Sequence, residues 1–176
     1  MTDIFVTLQN SINGDGLWYP SISVYYSGCD KSIKCKKCHN PELQLKGIGY
    51  KTNNKNLIQD IEEKLIMWLS TYKIISICYL GGEPLSTWNR NSVLNVSKYF
   101  KNKYQNQICN ILYTWRYIND LSILEKYIKY MDYGVLGDFQ EECKDLNYIP
   151  ASSNQYIYNF NTQQKIESIR KDNIWN

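Results

Sequence analysis

The chain has 176 residues, 43% of them apolar and 14% aromatic, which is enough for one buried core and argues against disorder. Twenty Lys and Arg against 17 Asp and Glu leave a formal charge of +3. The basic residues are scattered, so the charge makes no case for nucleic acid and only a weak one for an acidic partner. No apolar stretch approaches the ~20 residues of a membrane span. The opening "MTDIFVTLQNSING" has no basic segment leading into an apolar run, so a soluble cytoplasmic protein is expected. In that setting the six cysteines are read as reduced, metal-bound or buried rather than paired.

In chain order, "SISVYYS" (21–27) reads as a strand that ends at Gly28 and Cys29. A Lys/Gly-rich loop runs to about Lys51. Residues 52–72 follow with Asn or Thr caps and apolar Leu57, Ile61, Leu65 and Trp68 at helical spacing. "KIISICYL" (73–80) is a continuous β-branched run of the kind buried in a parallel sheet, and it stops at "GGEP". A second helix is expected over 89–104, with Val93, Val96, Phe100 and Tyr104 on one face. "ICNILYT" (108–114) is a third strand, a third helix carries Leu121, Leu124 and Ile128, and "YGVLG" (133–137) is a fourth strand. An irregular polar segment with "ASSNQ" (151–155) and a short strand-like "YIYNF" (156–160) close the sequence pattern. The last sixteen residues are polar.

This alternation predicts α/β architecture, with βαβ units on a mostly parallel sheet and helices on its outer face. One domain is expected over 1–176, its core at about 9–160 and a peripheral tail at 161–176. Ligands of such sheets sit beyond the carboxyl ends of the strands. The cysteine loop, GGEP and "TW" follow strands one, two and three, so the unusual chemistry gathers on one edge.

Within "YYSGCDKSIKCKKCHNPE" (25–42), Cys29, Cys35 and Cys38 are spaced C-x5-C-x2-C beside the single histidine, His39. Clustered thiolates select zinc or iron–sulfur. A structural zinc site is closed by four ligands, and Cys78, Cys109 and Cys143 stand alone, which leaves only His39 as a fourth. "CKKCH" also matches the c-type haem attachment pattern, which normally accompanies export. The third option is a [4Fe–4S] cluster with three protein ligands and one open iron. "YLGGEPL" (79–85) adds two glycines that permit close backbone approach, and the Glu83 carboxylate; read alone, it is an ordinary strand-to-helix turn.

Together these residues resemble the radical S-adenosylmethionine superfamily, with a cysteine triad after strand one and a GGE motif after strand two. More narrowly, residues 9–160 resemble the activating proteins of anaerobic (class III) ribonucleoside-triphosphate reductases. That likeness is carried by "NSINGDG", "CHNPELQ", "YLGGEPL" and "SSNQYIY". The family's usual triad is C-x3-C-x2-C, and its aromatic residue before the third cysteine is replaced here by Lys37.

The resemblance implies a short partial (βα) barrel. Cys29, Cys35 and Cys38 would ligate a [4Fe–4S] cluster. Gly81, Gly82 and Glu83 would line the methionine end of S-adenosyl-L-methionine. Lys37, His39, Thr114 and Asn154 are further cofactor-contact candidates, with a turn-stabilising role the bland reading for Asn154 and Gln155. The implied partners are the reductase and a flavodoxin- or ferredoxin-type electron donor. Gly82 is expected to be glycine because the cofactor approaches its backbone. Two rivals remain: a small-molecule radical enzyme of the deazaguanine synthase kind, and a non-catalytic zinc- or cluster-binding interaction protein.

Overall fold

Alternating side chains of the central strands are buried on both faces, so the sheet has to be covered twice. A computed structural model describes residues 3–171. Its elements are β1 (Ile4–Ser11), β2 (Ser21–Tyr26), β3 (Tyr50–Thr52), α1 (Asn54–Leu69), β4 (Ile75–Gly81), α2 (Arg90–Tyr104) and β5 (Ile108–Thr114). Then come α3 (Ile118–Leu121), α4 (Glu125–Ile128), β6 (Tyr133–Leu136), β7 (Tyr148–Ile149), β8 (Tyr156–Asn159), β9 (Gln164–Ile166) and β10 (Ile169–Arg170).

The main sheet has the order β3-β1-β2-β4-β5-β6-β8-β9. Its centre, β2, β4, β5 and β6, is parallel. β1 and β3 on one side, and β8 and β9 on the other, run antiparallel to their neighbours. The expected α/β class is therefore observed, as a mixed sheet with a parallel centre. β1 was not anticipated, although Ile4, Val6 and Leu8 alternate as a half-buried strand does. The expected third helix is two short helices joined by a tight turn at Ser122–Leu124.

The parity of the strands decides which layer each residue joins. Ile75, Ile77 and Tyr79 of β4 pack with Leu57, Ile61 and Leu65 of α1 and with Val93, Val96 and Phe100 of α2. Each such buried aliphatic side chain contributes about 1.5–3 kcal/mol. Asn53 caps α1 by accepting from Asn56 N at 3.1 Å. On the opposite face, Cys78 and Leu80 join Cys109, Ile111, Val135, Ile157 and Leu17 in a smaller cluster. Cys78 is fully buried and serves there as the small apolar side chain its position predicts.

The segment expected as a peripheral tail adds structure as far as it is described. Residues 164–166 extend the main sheet, and 169–170 pair with β7. Residues 172–176 of that tail lie outside the described residues. No helix among the described residues is long and apolar enough to cross a membrane.

Candidate metal centre and adjoining cavity

β2 delivers the chain to Ser27, Gly28 and Cys29, where a returning arm is stitched to it. Gly28 N donates to Leu43 O at 2.8 Å and Cys29 N to Gln44 O at 3.1 Å. Ser27 Oγ donates to Leu45 O at 2.9 Å and accepts from Ile48 N at 3.0 Å. Between these stitched ends, no backbone–backbone hydrogen bond involves residues 30–39 among the described residues. Side chains hold that stretch instead. Lys34 Nζ donates to Cys29 O at 2.5 Å, Lys31 pairs with Asp138 at 3.1 Å and Lys37 with Glu141 at 3.2 Å. The His39 ring lies 4.3 Å from that of Phe139.

Cys29, Cys35 and Cys38 are free, half-buried thiols on this one loop. Burial pushes the Cys29 and Cys35 thiols up. The Lys34 charge opposes this at Cys29, and the Lys31 charge with the Phe139 amide opposes it at Cys35. Among the described residues, no three His, Cys, Asp or Glu side chains gather around a single-ion centre. One zinc ion needs its ligands converged at about 2.3 Å from it, whereas a cluster offers each thiolate its own iron. Three soft, partly shielded donors on an irregular loop, without a second cysteine pair beside them, fit a cluster better than a closed zinc site.

The GGE turn is built against the start of that loop. Gly82 N donates to Tyr26 O at 2.7 Å and Glu83 N to Gly28 O at 2.9 Å. Gly81 has φ +113°, which favours glycine. A Cβ at Gly82 would collide with Leu43 O and stand 2.6 Å from Gly28 O. The protein's own backbone thus already demands glycine at 82, alongside the expected approach of a cofactor.

Glu83 is fully buried. Its carboxyl oxygens accept from Leu85 N at 2.9 Å, from Thr114 Oγ1 at 2.9 and 3.0 Å, and from Trp115 N at 3.2 Å. Arg116 Nη1 lies 2.9 Å from Glu83 Oε1 but is not aligned as a hydrogen bond. Burial pushes the Glu83 carboxyl up to about 7, against the pull of Arg116 and the Leu85, Thr114 and Trp115 donors. Arg116 Nη2 also donates to Asp30 Oδ2 at 2.6 Å, so this one guanidinium joins the cysteine loop to the GGE turn.

Both motifs border a cavity of about 290 Å³ at the carboxyl ends of β4, β5 and β6. Cys38, His39, Gly81, Gly82, Glu83 and Thr114 line it, together with Trp115 and Gln155. A second cavity of about 580 Å³ shares Asp15, His39, Tyr113, Val135, Phe139 and Gln155 with the first. It continues past residues 148–151 to Lys171. Burial lowers the pKa of His39, and the Lys144 and Lys171 charges lower it further.

Cys29 and Cys35 lie off both walls, and so do two of the cofactor-contact candidates. The Lys37 side chain is 67% exposed and turned to Glu141. Asn154 donates to Asp138 O at 2.8 Å and lines neither cavity. Sequence reading missed Arg116, which directly follows the "TW" it did notice. It also missed Asp15, which accepts from Ser23 Oγ at 2.7 Å and Tyr25 OH at 2.9 Å on the cavity wall.

An α/β fold with a triple-thiol loop at the carboxyl edge of its parallel strands defines an iron–sulfur class of protein. Residues 12–158 match the profile of the family described as "4Fe-4S single cluster domain", and the chain belongs to that family. No curated protein matches the chain.

Proposed function

We propose that this protein is a radical S-adenosylmethionine activase, which generates a glycyl radical on an anaerobic ribonucleotide reductase. The observation that carries the reading is the shared cavity. Cys38 and His39 from the cysteine loop and Gly81–Glu83 from the next strand end border the same 290 Å³ space. On this reading the parallel centre and its helices are the short partial (βα) barrel of that superfamily, formed by one domain. The match to a single-cluster iron–sulfur family supports the metal half of the proposal.

Cys29, Cys35 and Cys38 would hold three irons of a [4Fe–4S] cluster. When bound, the cluster would supply the one electron needed for reductive cleavage of S-adenosylmethionine. The chain's own residues bind, orient and shield. Gly81 and Gly82 present main-chain groups to the cavity. Glu83, clamped by Thr114, Trp115 and Arg116, would be the acidic group nearest the cofactor's ammonium end. Tyr113 and Phe139 supply apolar wall that excludes water. The second cavity gives room beyond the cofactor for a glycine-bearing loop of the reductase, with a flavodoxin- or ferredoxin-type protein as electron source.

One observation favours a small-molecule substrate instead: 580 Å³ falls within the size range of ligand pockets. A single experiment separates the two. The reconstituted protein is mixed anaerobically with the reductase, a reductant and S-adenosylmethionine. A doublet glycyl-radical EPR signal should appear on the reductase and vanish when its radical-site glycine is changed to alanine. Cofactor cleavage with no radical on the reductase would transfer the assignment to the small-molecule reading. A chain that takes up zinc and no iron would end both.

A further inference from the structure

The "SSNQ" turn makes a set of bonds that the cavity alone does not explain. Ser152 is fully buried. Its Oγ donates to Gln140 O at 3.0 Å and accepts from Gln140 N at 3.2 Å. Asn154 Nδ2 donates to Asp138 O at 2.8 Å, and Gln155 Nε2 donates to Gly137 O at 2.7 Å. The Ser152 hydroxyl and the Asn154 side-chain oxygen also meet each other. Three side chains thus converge on the backbone of one short segment, residues 137–140.

That segment and its continuation are what the middle of the cysteine loop leans on. Asp138 pairs with Lys31 at 3.1 Å, the Phe139 ring lies tilted against that of His39 at 4.3 Å, and Glu141 pairs with Lys37 at 3.2 Å. The Phe139 amide lies close enough to the Cys35 sulfur to favour its thiolate against burial. Residues 30–39 have no backbone–backbone bonds of their own among the described residues, so these contacts hold the loop's centre.

We propose that Ser152, Asn154 and Gln155 are positioning residues for the metal centre, holding residues 137–140 as a strap against the cysteine loop. None of them touches a cysteine; they act through the strap. The inference rests on the reading that Cys29, Cys35 and Cys38 hold the cluster. Hydrogen bonds to the cluster's sulfurs and the solvent shielding around it are recognised levers on its potential, and outer partners of metal ligands commonly govern affinity tenfold or more. An amide that donates to a thiolate stabilises the reduced cluster more than the oxidised one, because reduction adds negative charge. Loosening the strap therefore makes the cluster harder to reduce and easier to strip.

The test compares reconstituted parent, Asn154→Ala and the near-isosteric Asn154→Asp, which lacks the donor to Asp138 O. An EPR-monitored redox titration should move the midpoint to the negative side by about tenfold in the equilibrium, about 59 mV for one electron. Iron release to a chelator should accelerate about tenfold. Asn159→Ala is the control for a merely structural effect. It removes turn bonds to Asn161 N and Thr162 N at the other end of β8 and should leave the midpoint unchanged. If both Asn154 variants fail to fold, Gln155→Ala carries the test and should give a smaller shift of the same sign. Parental midpoint and release rate in the folded variants would overturn the strap role while leaving the cluster reading intact. Iron binding by Cys35→Ala equal to the parent's would instead overturn the cluster reading.

Discussion

The two loops beside the cavity leave the sheet at the same level, because Tyr26 of β2 and Gly81 of β4 are register partners. They are built in opposite ways. The GGE turn is short, and the carboxyl oxygens of its buried Glu83 are met by main-chain amides, a hydroxyl and a guanidinium. The cysteine loop spans more than twenty residues, exposes Ile33 at 80% and is held mid-length by side chains from elsewhere. One loop is finished by the chain's own atoms, and the other is a mount for something else. Damage to the first should cost fold stability, whereas damage to the second should cost metal.

The largest effect is expected where the two loops are tied. Arg116→Ala removes the partner of Glu83 and the clamp on Asp30. Breaking a buried pair from one side destabilises by about 3–5 kcal/mol, because the remaining charge is uncompensated. Thermal unfolding of the apoprotein near pH 8 measures it. The double variant Arg116→Ala/Glu83→Gln should recover part of the loss, since no charge is then stranded. Strict additivity of the two changes would show that Arg116 does not act through Glu83.

Next in size is a pH effect centred on the finished loop. The Glu83 pKa of about 7 in the folded chain lies above its ordinary value, so the folded state binds that proton more tightly. The resulting stabilisation is complete below the ordinary carboxyl range and is lost as pH rises through about 7. Between about pH 5 and pH 8 the loss is of order 2 kcal/mol. His39, whose pKa is lowered, contributes in the opposite sense, losing stability as pH falls. The comparison with Glu83→Gln isolates the carboxyl: stability of the parent should fall relative to the variant as pH rises. Parallel pH profiles for the two proteins would rule out this titration.

Smaller again is the contrast between two glycines. Gly82→Ala drives a Cβ into Leu43 O and against Gly28 O, so the start of the cysteine loop must shift, at about 1–3 kcal/mol. Iron occupancy should fall with it. Gly47→Ala meets nothing within 4 Å and pays only for its positive φ of +86°, about 1–2 kcal/mol. Its iron content should match the parent's. Gly82→Ala with full iron and weakened S-adenosylmethionine binding would restore the original idea that the cofactor alone demands glycine there.

How far the sequence foretold this arrangement depends on the range of each interaction. β2, β4, β5 and β6 were legible because four buried parallel strands leave continuous β-branched runs. The cysteine triad was legible because its ligands are close in sequence. β1 carries a readable alternation at Ile4, Val6 and Leu8 that the sequence reading missed. Arg116–Asp30 and Asn154–Asp138 were beyond reach, since they join residues 86 and 16 positions apart through side chains with no periodic signature. The reason for glycine at 82 was likewise invisible, because it depends on where Leu43 O returns in space.

The smallest effect is also the sharpest probe of the cysteine loop. Lys37 occupies the position where the resembled family carries an aromatic residue against the cofactor. Its side chain is two-thirds exposed and pairs with Glu141 at 3.2 Å, off both cavity walls. An exposed pair of this kind is worth about 0–1 kcal/mol. Its backbone φ of +51° is one that glycine adopts more easily than lysine. Lys37→Ala should therefore lower stability by a few tenths of a kcal/mol at most, while Lys37→Gly should be neutral or slightly stabilising because it relieves the backbone. On the proposed function, both should bind S-adenosylmethionine with the parent's affinity, measured by equilibrium dialysis against the reconstituted protein. A several-fold loss of cofactor affinity in both variants would mean that the Lys37 side chain leaves Glu141 and turns to the cofactor when the site is filled. In that case the centre of the cysteine loop rearranges on binding, and the division between a finished loop and a mount would describe only the ligand-free protein.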